Sequence, residues 1–308
     1  MNFRTEIKLG TAPFEMNYQH EVMLVGSCFS DHMGDKLKEM KMNVSSNPFG
    51  ISFNPHSIAH SISRIIENKE YTAVENFNNL YLSFDHHSSF SSLTKEETLM
   101  KINIALHEAH HKLKQANFLF ITFGSAWVYR HAAQNRLVAN CHKIPNKEFS
   151  KELLSIENIT TLFNALIGEL KAFNPLLNVV FTVSPVRHLK DGFIENQRSK
   201  SILLESVHRI VEANFNCSYF PSYEMVIDDL RDYRFFKKDM LHLNEIGVDY
   251  VWEKFCDFYF SNETRAIQVE VQALNALLHH RALNDTLIDN KKSLAFASMK
   301  EKYPYLIW

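Results

Sequence analysis

Three short apolar runs, EVMLV at Glu21–Val25, NFLFIT at Asn117–Thr122 and NVVFTV at Asn178–Val183, alternate with longer stretches of helical period. That alternation is the pattern of a parallel sheet covered by helices, so the expected class is α/β. Each run ends in a small or turn-forming stretch, "GSCFS", "FGSAW" and "SPVRH". Open α/β sheets place their sites at the carboxyl ends of strands, which makes all three stretches candidate site loops.

The helices between the strands follow from apolar spacing. Ile102, Ala105, Leu106, Ala109 and Leu113 form one stripe, and Ile159, Leu162, Phe163, Leu166, Ile167, Leu170 and Phe173 form another, ending before Pro175. Further helices are expected over Ser199–Ala213 and Glu245–Phe260. Beyond them, 262–283 carries Ile267, Val271, Leu274, Leu277 and Leu278 on one face, with Asn262 as its N-cap. The segment 43–92 lacks a clean period and is rich in turn formers, so it reads as loops or a small lid over the site. The organisation expected is one domain over 1–260, with 43–92 as a loop or lid insertion. A helical C-terminal extension over 261–308 then packs on that domain or on a second subunit, leaving homo-oligomerisation open.

A formal net charge of −2 with scattered Lys and Arg gives no electrostatic footprint for nucleic acid or an anionic membrane. No stretch reaches the roughly 18 apolar residues that span a bilayer, and the first residues lack the apolar core of a signal peptide. A cytoplasmic setting is the expectation. The four cysteines, Cys28, Cys141, Cys217 and Cys256, form no CxxC pair, which points to reduced thiols. "HEAHH" at 107–111 matches HExxH, yet His107 and His111 lie opposite the apolar stripe of their helix, so the solvated-face reading outranks zinc; no metal and no cofactor are expected.

Ser27 becomes a nucleophile only if a base takes its proton and a carboxylate orients that base. "DMLHLNEIG" offers Asp239 and His242 three positions apart, on a loop that leads into a helix. One turn can then fold the carboxylate onto the imidazole. By contrast, a lone Gly-Ser is usually a plain turn, and an isolated D-x-x-H is common. Cys28 is a rival nucleophile; because neighbouring side chains after a strand point opposite ways, Ser27 is expected in the cleft and Cys28 in the packing beneath the sheet.

"GSCFS" at 26–30, "NPFG" at 47–50, "ANCHKIP" at 139–145, "TVSPVRHLKDG" at 182–192 and "YFPSYEMVIDDLRDYRFFKKDMLH" at 219–242 resemble, in that order, the blocks of the GSCFA family. The strand-GS-x-F-helix and D-x-x-H-L-N-x-x-G ends are similar to the wider SGNH (GDSL-like) hydrolase superfamily. The resemblance implies a three-layer α/β/α fold around a central parallel, flavodoxin-like sheet, in agreement with the strand and helix pattern, with Ser27 as nucleophile, His242 as general base and Asp239 as its partner. It further implies an oxyanion held by the amides of Ser27 and Gly50. The superfamily's third-block Asn is absent, since "GSAW" has Trp127 there, so either Asn140 or His142 replaces that donor or the chemistry is weaker than in common esterases. Arg187 and His188 of "SPVRH" are substrate-binding candidates, with an ion pair from Arg187 to Asp191, Glu195 or an acid of "IDDLRDYR" as the plainer alternative.

The resulting expectation is a metal-independent serine esterase or acyltransferase acting through an acyl-enzyme on an O-acylated carbohydrate or similar small ester. Its rival is a binding protein that keeps the fold with weak or no catalysis, Trp127 stacking on a sugar ring.

Overall fold

The computed structural model describes residues 4–280 and 285–308. Five parallel strands form the central sheet in the order β10-β9-β5-β1-β2, where β1 is Glu21–Gly26, β2 Asn43–Ser46, β5 Phe118–Phe123, β9 Asn178–Val183 and β10 Cys217–Tyr219. The three long runs pair in register, Val22 with Phe118 and Phe118 with Asn178. All six residues of β5 are buried, as a strand covered on both faces requires.

Helices α2 (Pro55–Glu67), α3 (Lys95–Gln115), α4 (Ile156–Phe173) and α5 (Phe193–Ala213) bring Ile62, Leu106, Phe163 and Leu203 onto one face of the sheet. Onto the other go α1 (Cys28–Glu39) and, beyond the single turn α6 (Ser222–Glu224), α7 (Glu245–Tyr259), through Met33, Leu37, Val251 and Phe255. Two layers of helix around a parallel sheet are the expected α/β/α class. The C-terminal part is helical as well, α8 (Asn262–His279) and α9 (Asp285–Lys302) following α7. Ile267 and Val271 of α8 join the α7 side of the core, and so does Leu306, while Ile307 N–H donates to Lys41 O at 2.9 Å. The N-cap of α8 is Ser261, one residue before the Asn262 expected, because the Ser261 hydroxyl reaches Thr264 N–H, and the last residues of the helix expected over 262–283 lie outside the described residues.

The segment 43–92 is not the loop or lid insertion read from sequence. Its first residues are edge strand β2, and α2 buries Ile58, Ile62 and Ile65 completely. Asn54 caps that helix by accepting Ser57 N–H at 2.8 Å, and Pro55 opens it. Beyond α2, the hairpin β3 (Glu75–Phe77) and β4 (Leu80–Leu82) packs with a small antiparallel sheet on a satellite core of Leu82, Phe84, Val138 and Ile144. That sheet consists of β6 (Trp127–His131), β7 (Arg136–Val138) and β8 (Phe149–Leu153), in the order β7-β6-β8. Among the described residues no helix is long and apolar enough to cross a membrane.

Candidate active site

The serine turn is held by backbone and side chains together. Gly26 ends β1 at φ +142°, and a Cβ there would stand 2.2 Å from Thr122 O, so only glycine lets β1 and β5 meet at this point. Its N–H donates to Asn47 Oδ1 at 2.8 Å, and Asn47 Nδ2 donates to Asp31 Oδ1 at 2.7 Å. Ser52 N–H reaches Gly26 O at 3.0 Å, laying the 47–54 strap across the turn. Ser27 is the N-cap of α1, its Oγ accepting Phe29 N–H at 3.3 Å.

Ser27 has no exposed surface, whereas Cys28 is half-buried. Cys28 is thus the less buried of the two, unlike the expected packing of its side chain beneath the sheet. The strand alternation invoked for them stops at Gly26; Cys28 is the first helical residue, and helical geometry sets its direction. Burial and the Asp31 carboxylate push the Cys28 thiol up, so it is a poor source of thiolate.

Asp239 and His242 come together as their spacing suggested. Asp239 Oδ2 accepts from His242 Nδ1 at 2.7 Å, and Oδ1 accepts the N–H groups of Leu241 at 2.9 Å and His242 at 3.0 Å. These three bonds, the backbone ones foremost, hold the Asp239 carboxyl down at about 2. An ionised carboxylate on Nδ1 fixes the imidazole tautomer with the Nε2 lone pair free, which is the state a general base needs. The loop is pinned behind them. Asn244 caps α7 by accepting Gly247 N–H at 3.1 Å and donates to Arg234 O at 2.7 Å. A cavity of about 200 Å³, lined by His32 and Asp35 of α1 and by Lys237, Leu243 and Asn244, lies between this loop and the helix that Ser27 opens. Among the described residues no hydrogen bond joins Ser27 Oγ to His242.

Two amides assigned to the oxyanion are committed elsewhere. Ser27 N–H donates to Thr122 O at 3.2 Å, and Gly50 N–H closes a turn on Asn47 O at 2.7 Å. Asn140 and His142 clamp the segment after β4: Asn140 Oδ1 accepts His142 N–H at 2.8 Å, and His142 Nε2 bonds Ser83 O at 2.7 Å. Trp127 opens β6 with its Nε1–H on Glu195 O at 3.4 Å and Lys151 Nζ 4.1 Å above the ring, so one face is already covered. Arg187 makes no ion pair among the described residues; its guanidinium lies over Phe236 at 5.7 Å, beside a cavity of about 170 Å³. Asp191, one of its expected partners, pairs with Lys151 instead. His188 packs edge-on against Phe53 with centroids 5.0 Å apart.

Sequence reading missed Lys200. It is fully buried on α5, donating from Nζ to Gly124 O at 2.7 Å and Ser184 O at 2.6 Å, which ties the ends of β5 and β9. Burial lowers its pKa to about 7. The signal was available, because Lys200 shares an apolar stripe with Leu203, Val207 and Ile210. Of the HExxH pair, His107 bonds Asn68 Oδ1 and Glu70 Oε1, and His111 is exposed. Among the described residues no group of three or more His, Cys, Asp or Glu side chains could hold a metal ion.

Comparison with known proteins adds to this geometry. No curated protein matches the chain. Among solved structures it is similar to an acetyl xylan esterase (Est2A) of Butyrivibrio proteoclasticus, with TM-score 0.42 and 10% identity, over 78% of this chain and 63% of that one. A family 3 carbohydrate esterase of Clostridium thermocellum gives TM-score 0.36 and 13% identity over 83% and 98% of the two chains. A carbohydrate esterase family 3 protein of Talaromyces cellulolyticus gives 0.38 and 6% over 82% and 99%. The pattern of the GSCFA family matches residues 21–255, which include the serine turn, all five strands of the central sheet and the Asp239–His242 loop, and the chain therefore belongs to the GSCFA family.

Proposed function

We propose that the protein is a serine esterase or acyltransferase working through an acyl-enzyme on Ser27, with an O-acylated carbohydrate or similar small ester as substrate. The observation that carries this reading is the Asp239–His242 couple, built within one turn and leaving Nε2 free, on a loop packed along the helix whose N-cap is Ser27. Ser27 Oγ accepts one bond from Phe29 N–H, so its own O–H remains free to donate. Catalytic hydrogen bonds are often formed only when substrate binds, and the closed, solvent-free serine fits a site that completes itself in that way.

In the reaction Ser27 Oγ attacks the ester carbonyl as His242 Nε2 takes its proton, and Asp239 stabilises the imidazolium. The alcohol leaves with the proton returned by His242. Water or an acceptor hydroxyl then repeats the sequence in reverse, which is why the same residues serve hydrolysis and transfer.

Labelling with a fluorophosphonate probe tests this directly. Wild type and Cys28→Ala should label and Ser27→Ala should not. A folded wild type that fails to label would favour the binding-protein reading, for which sugar-binding assays are the next measurement.

A further inference from the structure

Acyl transfer needs donors aimed at the oxygen that turns negative in the tetrahedral intermediate. Ser27 N–H and Gly50 N–H already have acceptors. A buried polar atom left without a partner is destabilising, so such an atom at the carboxyl edge of the sheet points to a ligand.

His188 presents one. Its Nε2 is buried and has no hydrogen-bond partner, and it lies 3.2 Å from where a Cβ on Gly124 would stand. Gly124 is the first residue past β5, two beyond the Thr122 whose carbonyl holds Ser27 N–H. Phe53 packs edge-on against the ring, and Asn196 Oδ1 accepts the backbone N–H of His188 at 2.9 Å, which holds the main chain that carries it. Lys200 holds the Gly124 carbonyl from below. Burial, helped by the Lys200 charge, pushes His188 down to about 4, so at neutral pH the ring is uncharged and carries one proton. A neutral imidazole donates from one nitrogen only, and Nε2 is the nitrogen kept away from both water and protein acceptors.

We infer that His188 is a catalytic residue of the Ser27 site, its Nε2–H donating to the oxyanion of the bound acyl group; the inference rests on the serine reading above. The step balances without further reagents. Ser27 Oγ bonds the carbonyl carbon, its proton passes to His242, the carbonyl π pair becomes the oxyanion lone pair, and His188 keeps its proton while sharing it.

The test uses p-nitrophenyl acetate turnover and fluorophosphonate labelling of the full chain, comparing wild type with His188→Asn, which retains a donor, and His188→Leu, which retains bulk alone. The Leu variant should lose about 100- to 1,000-fold in kcat with KM within about threefold, and Asn should recover about tenfold or more of that loss. If His188→Leu does not melt cooperatively, His188→Ala takes its place against Asn. Wild-type kcat in the variants, or a loss confined to KM, overturns the donor role. Labelling of the wild type with unchanged variants sinks this inference alone; an unlabelled, folded wild type sinks the serine reading and this inference with it.

Discussion

Gly26 does more for the site than the serine beside it can do alone. Its missing side chain lets Thr122 O approach, and its amide anchors Asn47, so the serine turn and the strap over it share one glycine. Gly26→Ala should destabilise the fold by more than about 2 kcal/mol in urea unfolding, because both the left-handed φ and the contact with Thr122 O are lost to a Cβ. A change under about 0.5 kcal/mol would mean that β1 and β5 can part without cost. Single-residue geometry was legible where it is local. Asp239 and His242 sit three apart, and one turn decides their geometry. The resting bond of Gly50 N–H was not legible, because the availability of an amide depends on whether a turn closes on it, here through Asn47 O, and spacing carries no sign of that. Cys28 was misplaced for a similar reason: the strand's alternation was carried one residue past the point where the helix begins.

Among the elements, α7 shows how a cap can serve chemistry. Asn244, two residues after His242, satisfies Gly247 N–H and holds Arg234 O, so the same side chain starts the helix and braces the Asp239–His242 turn. Asn244→Ala should cost about 1–2 kcal/mol in thermal or urea unfolding, and it should lower kcat on an activated ester more than it raises KM. Unchanged kcat would show that the loop holds its shape without the brace. The three long strands were readable because continuous apolar runs are what a sheet buried on both faces demands. β2 escaped notice because all four of its residues are only half-buried, as suits an edge. In α2 the buried stripe includes Ser57 and Ser61, whose polarity breaks the apolar period, although Ser61 Oγ turns back to Ser57 O at 2.9 Å and is satisfied there. Asn54 and Pro55 then registered as turn formers when they are the start of a helix.

At the level of the whole molecule, Lys200 links stability to pH. The unfolded chain holds that proton up to the ordinary lysine range, while the buried side chain releases it at about 7. Between about pH 7 and pH 10 the unfolded state therefore binds more protons, and the contribution of Lys200 to stability rises with pH. Compared by urea unfolding at pH 7 and pH 9.5, wild type should gain on Lys200→Met; an equal difference at both would show that the ammonium is not desolvated as its packing implies. The parallel sheet has a further consequence. Glu21 N–H and Asn117 Oδ1, joined at the start of β1 and β5, are 96 residues apart in the chain. At about 5–20 residues per second, synthesis needs roughly 5–20 s to pass from one to the other. For that interval the serine-bearing strand has no β5 to pair with, so the edge that β5 will take is open to chaperones or to wrong partners until the central strand emerges.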